Sequence, residues 1–196
     1  GIYDVRPEPG EKAAGLGLHV YNSLDEVLAD PEIELITVAT PNNFHKEIVI
    51  AALKAGKNVI SEKPVTICSA DLEDMIAVAK ETGKLFSIHQ NRRWDKDYRT
   101  VKAVLDSGII GNAYFIESRV DGSRGGSMYG WRGHKLNGGG MLLDWGVHLI
   151  DQVMDMIKSP VVEVGAHLLL AAADVALQFH LGAAVLLAHL LHLAAV

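Results

Sequence analysis

Asp144 and His148 stand four residues apart, directly behind the run Gly138-Gly139-Gly140. On a helix that spacing places a carboxylate and an imidazole on one face, and the glycines let the preceding backbone come close to a ligand. A carboxylate beside an imidazole can orient and move a proton, because an unperturbed imidazole titrates near neutrality. The same spacing also suits a helix-dipole aspartate and a core histidine whose ring is hydrogen-bonded inside the protein.

A second cluster lies upstream, in Val59-Ile60-Ser61-Glu62-Lys63-Pro64. Gly56 is a natural stop for a helix Phe44 to Ala55, so a short strand Asn58 to Ile60 delivers Lys63 to its carboxyl end. That end is where open α/β sheets bind ligands. Pro64 forbids ladder pairing, and an X-Pro bond is where a cis peptide is tolerated. Taken alone, a Lys-Pro pair equally describes a surface turn.

The elements that must position these groups alternate. Gly1 to Asp4 reads as the end of a strand, and Ser23-Leu24-Asp25-Glu26 matches a capping box opening a helix to about Leu28. Strand Leu35 to Ala39, helix Phe44 to Ala55 and strand Asn58 to Ile60 follow. Helix Ser69 to Thr82, closed by Gly83, and strand Leu85 to Ile88 continue a βαβ series, which implies a parallel sheet with covering helices. Beyond Trp94 the pattern changes to helix Lys96 to Leu105, ending near Gly108, and strand Ala113 to Val120. A glycine-rich loop Asp121 to Gly140, helix Leu142 to Met156 and strand Val161 to Leu170 come next. The boundary falls near residue 90, which divides the chain into an α/β unit, 1–90, and a second unit, 91–196.

A chain of 196 residues with 49% hydrophobic content and a net charge of −6 can bury a sizeable core and has no basic excess to recommend nucleic acid. The single cysteine, Cys68, excludes an internal disulfide and fits a reducing compartment. No charged start followed by a short apolar core opens the chain, so a cytoplasmic protein is expected. The apolar stretch Val175 to Val196 carries His180, His189, His192, Gln178 and Gly182 and lacks Lys and Arg flanks, so buried strands or a core helix are expected rather than a membrane span. From Ala171 onward only Ala, Asp, Val, Leu, Gln, Phe, His and Gly occur, and no function is assigned to that segment. No metal site is expected.

Glu62-Lys63-Pro64 and the run Gly-Gly-Gly-x-Leu-x-Asp-x-Gly-x-His-x-x-Asp from Gly138 to Asp151 together resemble the glucose-fructose oxidoreductase, inositol dehydrogenase and MocA family. Val38-Ala39-Thr40-Pro41-Asn42-Asn43-Phe44-His45, Gln90-Asn91-Arg92-Arg93-Trp94 and Trp131-Arg132 add to the resemblance, which keeps the family's order to about residue 170. The resemblance implies a partial Rossmann-type parallel sheet followed by an α+β domain with an open, mainly antiparallel sheet. One departure concerns the Gly-x-Gly-x-x-Gly turn of such folds. Gly10, Gly15 and Gly17 do not substitute for it, because no strand precedes them.

The resemblance further implies hydride transfer between a nicotinamide cofactor and a sugar, polyol or related hydroxyl compound. His148 is then the base, and Lys63 bonds the reacting oxygen, favours alkoxide and keeps the imidazole neutral. Asp144 orients the substrate hydroxyl or His148. Thr40, Pro41 and His45 lie where a strand turns into a helix N-terminus, a place for donors to ribose or phosphate. By resemblance Glu62, Asn91, Trp131 and Arg132 line the nicotinamide half. Asp4, at a strand end, suits ribose hydroxyls and repels a 2′-phosphate, favouring NAD, while Arg6 leaves NADP possible. The apolar strand Val161 to Leu170 suggests a face that pairs with its copy, giving a homodimer or homotetramer. A non-catalytic ligand sensor on the same fold is the alternative, and the presence of Lys63, Asp144 and His148 together argues against it. A cofactor-incompetent fragment is a third reading.

Overall fold

A computed structural model describes residues 1–122, 130–157, 160–169, 174–181 and 184–192. The chain forms two compact units, one of Gly1–Thr40 with Phe44–Ile88 and one of Pro41–Asn43 with His89–Val196.

In the first unit Ile2 makes a single parallel bridge to Val20, the remnant of strand expected at the start. Helix α1 (Pro7–Gly15) was not expected from the sequence. Its signals are Pro7 at the first position and Glu8 in the first turn, and the surrounding glycines and prolines obscured them. Helix α2 (Leu24–Ala29) opens as its capping box requires, with Ser23 Oγ accepting from Glu26 N at 3.1 Å. The Glu26 carboxylate reaches back one residue further than expected, to Asn22 N at 2.8 Å.

Strands β1 (Leu35–Val38), β2 (Asn58–Ser61) and β3 (Phe86–Ile88) form a parallel sheet in that order. The register pairs Leu35 with Asn58 through Val38 with Ser61, and Val59 with Phe86 through Ser61 with Ile88. Helix α3 (His45–Lys54), entered through a 3₁₀ turn Asn42–Phe44, links β1 to β2, and α4 (Ser69–Thr82) links β2 to β3. Gly83 ends α4 at φ 65°, the left-handed conformation that a side chain disfavours. Val49, Ala52 and Leu53 of α3 and Met75 of α4 meet Val38 and Val59 of the sheet in a fully buried cluster. Each large side chain there contributes about 1.5–3 kcal/mol through removal from water, which outweighs the modest surface bonds of Lys46 to Asp71 and Asp74.

The second unit holds α5 (Lys96–Asp106), β4 (Phe115–Gly122), α6 (Val147–Ile157), β5 (Val161–Leu169), β6 (Asp174–Leu181) and β7 (Ala184–His192). Its sheet runs β4-β7-β6-β5, with β5–β6 and β6–β7 antiparallel and β4–β7 parallel. The apolar segment at the end of the sequence thus supplies two strands, and among the described residues no helix is long and apolar enough to cross a membrane. The apolar face expected in β5 is exposed at Val162 and Val164. The expected continuous helix from Leu142 begins instead as a π-helical stretch, Leu142–Gly146, before α6. Of the expected loop Asp121 to Gly140, residues 123–129 lie outside the described residues, and the rest forms two 3₁₀ turns, Gly130–Gly133 and Lys135–Asn137.

Polar ties run between the segment 91–106 and α6. Arg93 grips Asp151 with two parallel bonds, Nε to Oδ2 at 2.8 Å and a terminal nitrogen to Oδ1 at 2.7 Å. Tyr98, 6% exposed, donates its hydroxyl to the Asp155 carboxylate. Burial, then that hydrogen bond, pushes the Tyr98 hydroxyl above its ordinary value. A phenol whose folded-state pKa lies above its unfolded value contributes stability that is complete below about pH 10 and is lost as pH rises through the folded value. Tyr98→Phe therefore lowers stability by about 1 kcal/mol at neutral pH. It also blunts the alkaline loss, and thermal melts of both proteins at neutral and alkaline pH check both effects.

Candidate active site

The β1–β2 ladder ends at Val38 and Ser61, with one more bond from Glu62 N to Val38 O at 2.8 Å. Past that point both chains leave the sheet, and the residues singled out by type sit there. Lys63 is half-buried, its amide donates to Glu62 Oε2 at 3.3 Å, and the Lys63–Pro64 bond is cis, in keeping with the proline's place after a strand. Thr40 Oγ1 is buried and has no hydrogen-bond partner among the described residues. A buried hydroxyl with nothing to bond is costly unless a ligand completes it. That observation fits a polar ligand such as a dinucleotide ribose or phosphate at this strand end.

His45, expected to face a cofactor, is fully buried. Its Nδ1 lies 3.0 Å from Pro64 O and its Nε2 3.0 Å from Thr40 O, so both ring nitrogens face backbone carbonyls of the chain itself. Near the start of the chain Asp4 Oδ1 accepts from Arg6 N at 2.9 Å and from Arg6 Nε at 3.2 Å. The Arg6 side chain, then its amide, holds the Asp4 carboxyl below its ordinary range, so Asp4 is ionised at any working pH. Arg6 itself remains largely in solvent.

In the second unit the triple glycine folds back on the turn before it. Gly139 N donates to His134 O at 3.1 Å and Gly140 N to Arg132 O at 2.9 Å. A Cβ on Gly139 would stand 2.2 Å from Arg132 O, and Gly140 holds φ 112°, so neither position admits a side chain at rest. Asn42 Nδ2 donates to Gly138 O at 2.8 Å, joining the buried Asn42 to the loop.

Asp144 lies inside the π stretch, where bonding runs from i to i+5 and the phase differs from that of an α-helix. The plain i,i+4 face expected for Asp144 and His148 is corrected accordingly. Such π insertions recur at functional sites, because they re-aim side chains that a regular helix would fix elsewhere. Asp144 Oδ1 lies 3.4 Å from Arg132 Nε, and the Arg132 guanidinium sits 4.5 Å from the Trp131 ring centroid. Three residues chosen from the sequence thus form one chain of contacts. His148 is 4% exposed and packs edge-to-face with Trp145, ring centroids 6.2 Å apart. Asn91 is exposed at the head of the 3₁₀ turn Asn91–Trp94.

Sequence reasoning missed the roles of Arg92 and Arg93. The Arg92 guanidinium stacks 4.1 Å from the Trp145 ring centroid, and Gln152 Nε2 donates to Arg92 O at 2.8 Å. With Arg93 on Asp151, these contacts brace the helix that carries His148. The legible signal was a pair of acids, Asp151 and Asp155, at helical spacing opposite two arginines.

Residues 1–90 match the oxidoreductase family with an NAD-binding Rossmann fold, and residues 98–187 match the GFO/IDH/MocA C-terminal domain. An uncharacterised oxidoreductase of Schizosaccharomyces pombe is 42% identical over 142 residues, covering 72% of this chain and 39% of the relative. The NADP⁺-dependent scyllo-inositol 2-dehydrogenase of Bacillus subtilis is 35% identical over 141 residues, covering 72% of this chain and 39% of the relative. The crystal structure of an NAD-binding protein from Listeria innocua superimposes with a TM-score of 0.93 at 40% identity, covering 98% of this chain and 58% of that one. The matched stretch is therefore about two fifths of the length of these curated relatives.

The glycine loop yields a direct test. Gly139→Ala forces the backbone away from Arg132 O, costing roughly 1–3 kcal/mol and disturbing the Arg132 to Asp144 contact. Gly15→Ala, where a Cβ meets nothing within 4 Å, is the control. Thermal melts should show a clear loss for the first and none for the second, and equal melting temperatures would contradict the packing described.

Proposed function

This chain belongs to the GFO/IDH/MocA oxidoreductase family, and on that premise we propose that it works as an NAD(P)-dependent dehydrogenase acting on a hydroxyl carbon of a sugar, polyol or related compound. The observation that carries the reading is the placement of Lys63 and of the unsatisfied Thr40 hydroxyl just past the carboxyl ends of adjacent parallel strands. An inositol dehydrogenase among the relatives supports a polyol, and it favours an enzyme over a ligand sensor.

Thr40, Pro41, Glu62, Asn91, Trp131 and Arg132 would hold the cofactor, with Asp4 on the adenosine ribose. When bound, the nicotinamide supplies the carbon that accepts or returns the hydride. The chain's own task is the proton. His148 takes the hydroxyl proton as the C–H electron pair leaves, so the alcohol becomes a carbonyl, and it returns that proton in the reverse direction. Its buried setting keeps bulk water from competing. Lys63 bonds the reacting oxygen and stabilises alkoxide character, while Asp144, held by Arg132, orients the hydroxyl.

Lys63→Ala in the full-length protein should lower turnover by roughly 10² or more with folding nearly unchanged, the scale of losing one preorganised donor. His148→Asn should keep cofactor affinity, cut turnover severely and flatten the acidic limb of the pH–rate profile, since asparagine cannot accept the proton. Steady-state kinetics across pH check both variants. Wild-type turnover in Lys63→Ala, or an unchanged profile in His148→Asn, would move the chemistry elsewhere.

Cofactor choice follows from Asp4. Because the Asp4 carboxylate stays ionised beside Arg6 and would repel a 2′-phosphate, NAD should exceed NADP in kcat/KM, and Asp4→Asn should narrow the ratio. Kinetics with both cofactors decide, and an NADP preference in the unaltered protein would mean that Arg6 dominates.

A further inference from the structure

We infer that His45 is a positioning residue whose imidazole joins the segment leaving β1 to the segment leaving β2, holding Thr40 and Lys63 in place beyond the reach of the sheet. The inference rests on the reading of Thr40 and Lys63 given above. A parallel ladder fixes neighbouring chains only while both remain extended, and here its last bond is Glu62 N to Val38 O. The carbonyls of Thr40 and Pro64 come next, on chains that have turned away from each other's ladder. His45 opens α3 and places one nitrogen 3.0 Å from each of these carbonyls, with Val65 O a further 3.3 Å from Nδ1.

The ring is 0% exposed, and both of its polar atoms face the chain's own carbonyls, so it has no free nitrogen to offer a ligand. A carbonyl accepts only from N–H, so closing both arms takes a ring that carries a proton on each nitrogen. The residue acts through Thr40 and Lys63 and touches no reacting atom.

Two substitutions separate the arms of this clamp in the full-length protein. The amide nitrogen of asparagine stands near the position of Nδ1 and that of glutamine near Nε2. His45→Asn keeps a donor toward Pro64 and releases Thr40, so the dissociation constant for NADH, read by fluorescence, should rise about tenfold while kcat at saturating cofactor holds. His45→Gln keeps a donor toward Thr40 and releases Pro64, so kcat should fall about tenfold while NADH affinity holds. Without cofactor, amide exchange should quicken in residues 38–44 of the first variant and in residues 61–66 of the second.

Matched losses of affinity and kcat in both variants, or unchanged constants with a uniform rise in exchange, would overturn the inference. In the unaltered ¹⁵N-labelled protein the His45 ring N–H should exchange slowly. A fast-exchanging ring N–H overturns the clamp even if neither variant folds. Full turnover in Lys63→Ala would instead overturn the reading of Lys63, and the exchange pattern and ring N–H would still judge the clamp.

Discussion

Parallel strands run out of hydrogen bonds at their carboxyl ends, and most of what the first unit does depends on that limit. The β1–β2 ladder sets Val38 against Ser61, and within two or three residues each chain has turned away carrying Thr40 or Lys63. Apolar burial by α3 and α4 keeps the sheet in place, because Val49, Leu53 and Met75 have nowhere else to exclude water so fully. On the proposed reading the first unit contributes the few residues just past the ladder, where backbone groups are not already committed and a ligand can complete them.

The second unit meets a different constraint: on the proposed reading His148 transfers a proton, and the helix that aims it must itself be held firmly. Three glycines bring the loop onto its own backbone, and the π stretch changes the phase of Asp144 relative to α6. Arg92 on Trp145 and Arg93 on Asp151 hold that helix from the side. The Arg93–Asp151 pair is bidentate but its arginine stays about half exposed, so these contacts act on placement more than on stability.

Much of this was legible in the residues. The strands at 35–38 and 58–61 and the helix Ser69–Thr82 with its Gly83 stop followed from apolar runs and turn residues, because local sequence and tertiary packing agree there. Helix α1 was hidden because Pro7, Pro9 and Gly10 crowd its first turn and read as a loop, although Glu11 to Ala14 are good helix formers. The π insertion left no mark in composition, since one extra residue in a turn only shifts the phase of the residues after it. Lys63, Asp144 and His148 stood out by type and spacing. The inward-facing ring of His45 did not, because a histidine at a helix start reads the same whether it meets a ligand or two carbonyls of its own chain. The bracing role of Arg92 and Arg93 was hidden for a similar reason, since an arginine pair after a strand reads as solvated charge until the helix bearing Asp151 is in place.

The central claim is that these residues serve hydride transfer rather than ligand sensing. Incubating the full-length protein with NAD or NADP and a panel of inositols, other polyols and sugars, while following nicotinamide absorbance, tests it most directly. The account predicts reduction of the cofactor with at least one polyol or sugar and reoxidation by the corresponding carbonyl compound. Tight cofactor binding with no change in nicotinamide absorbance across the whole panel, in either direction, would contradict it.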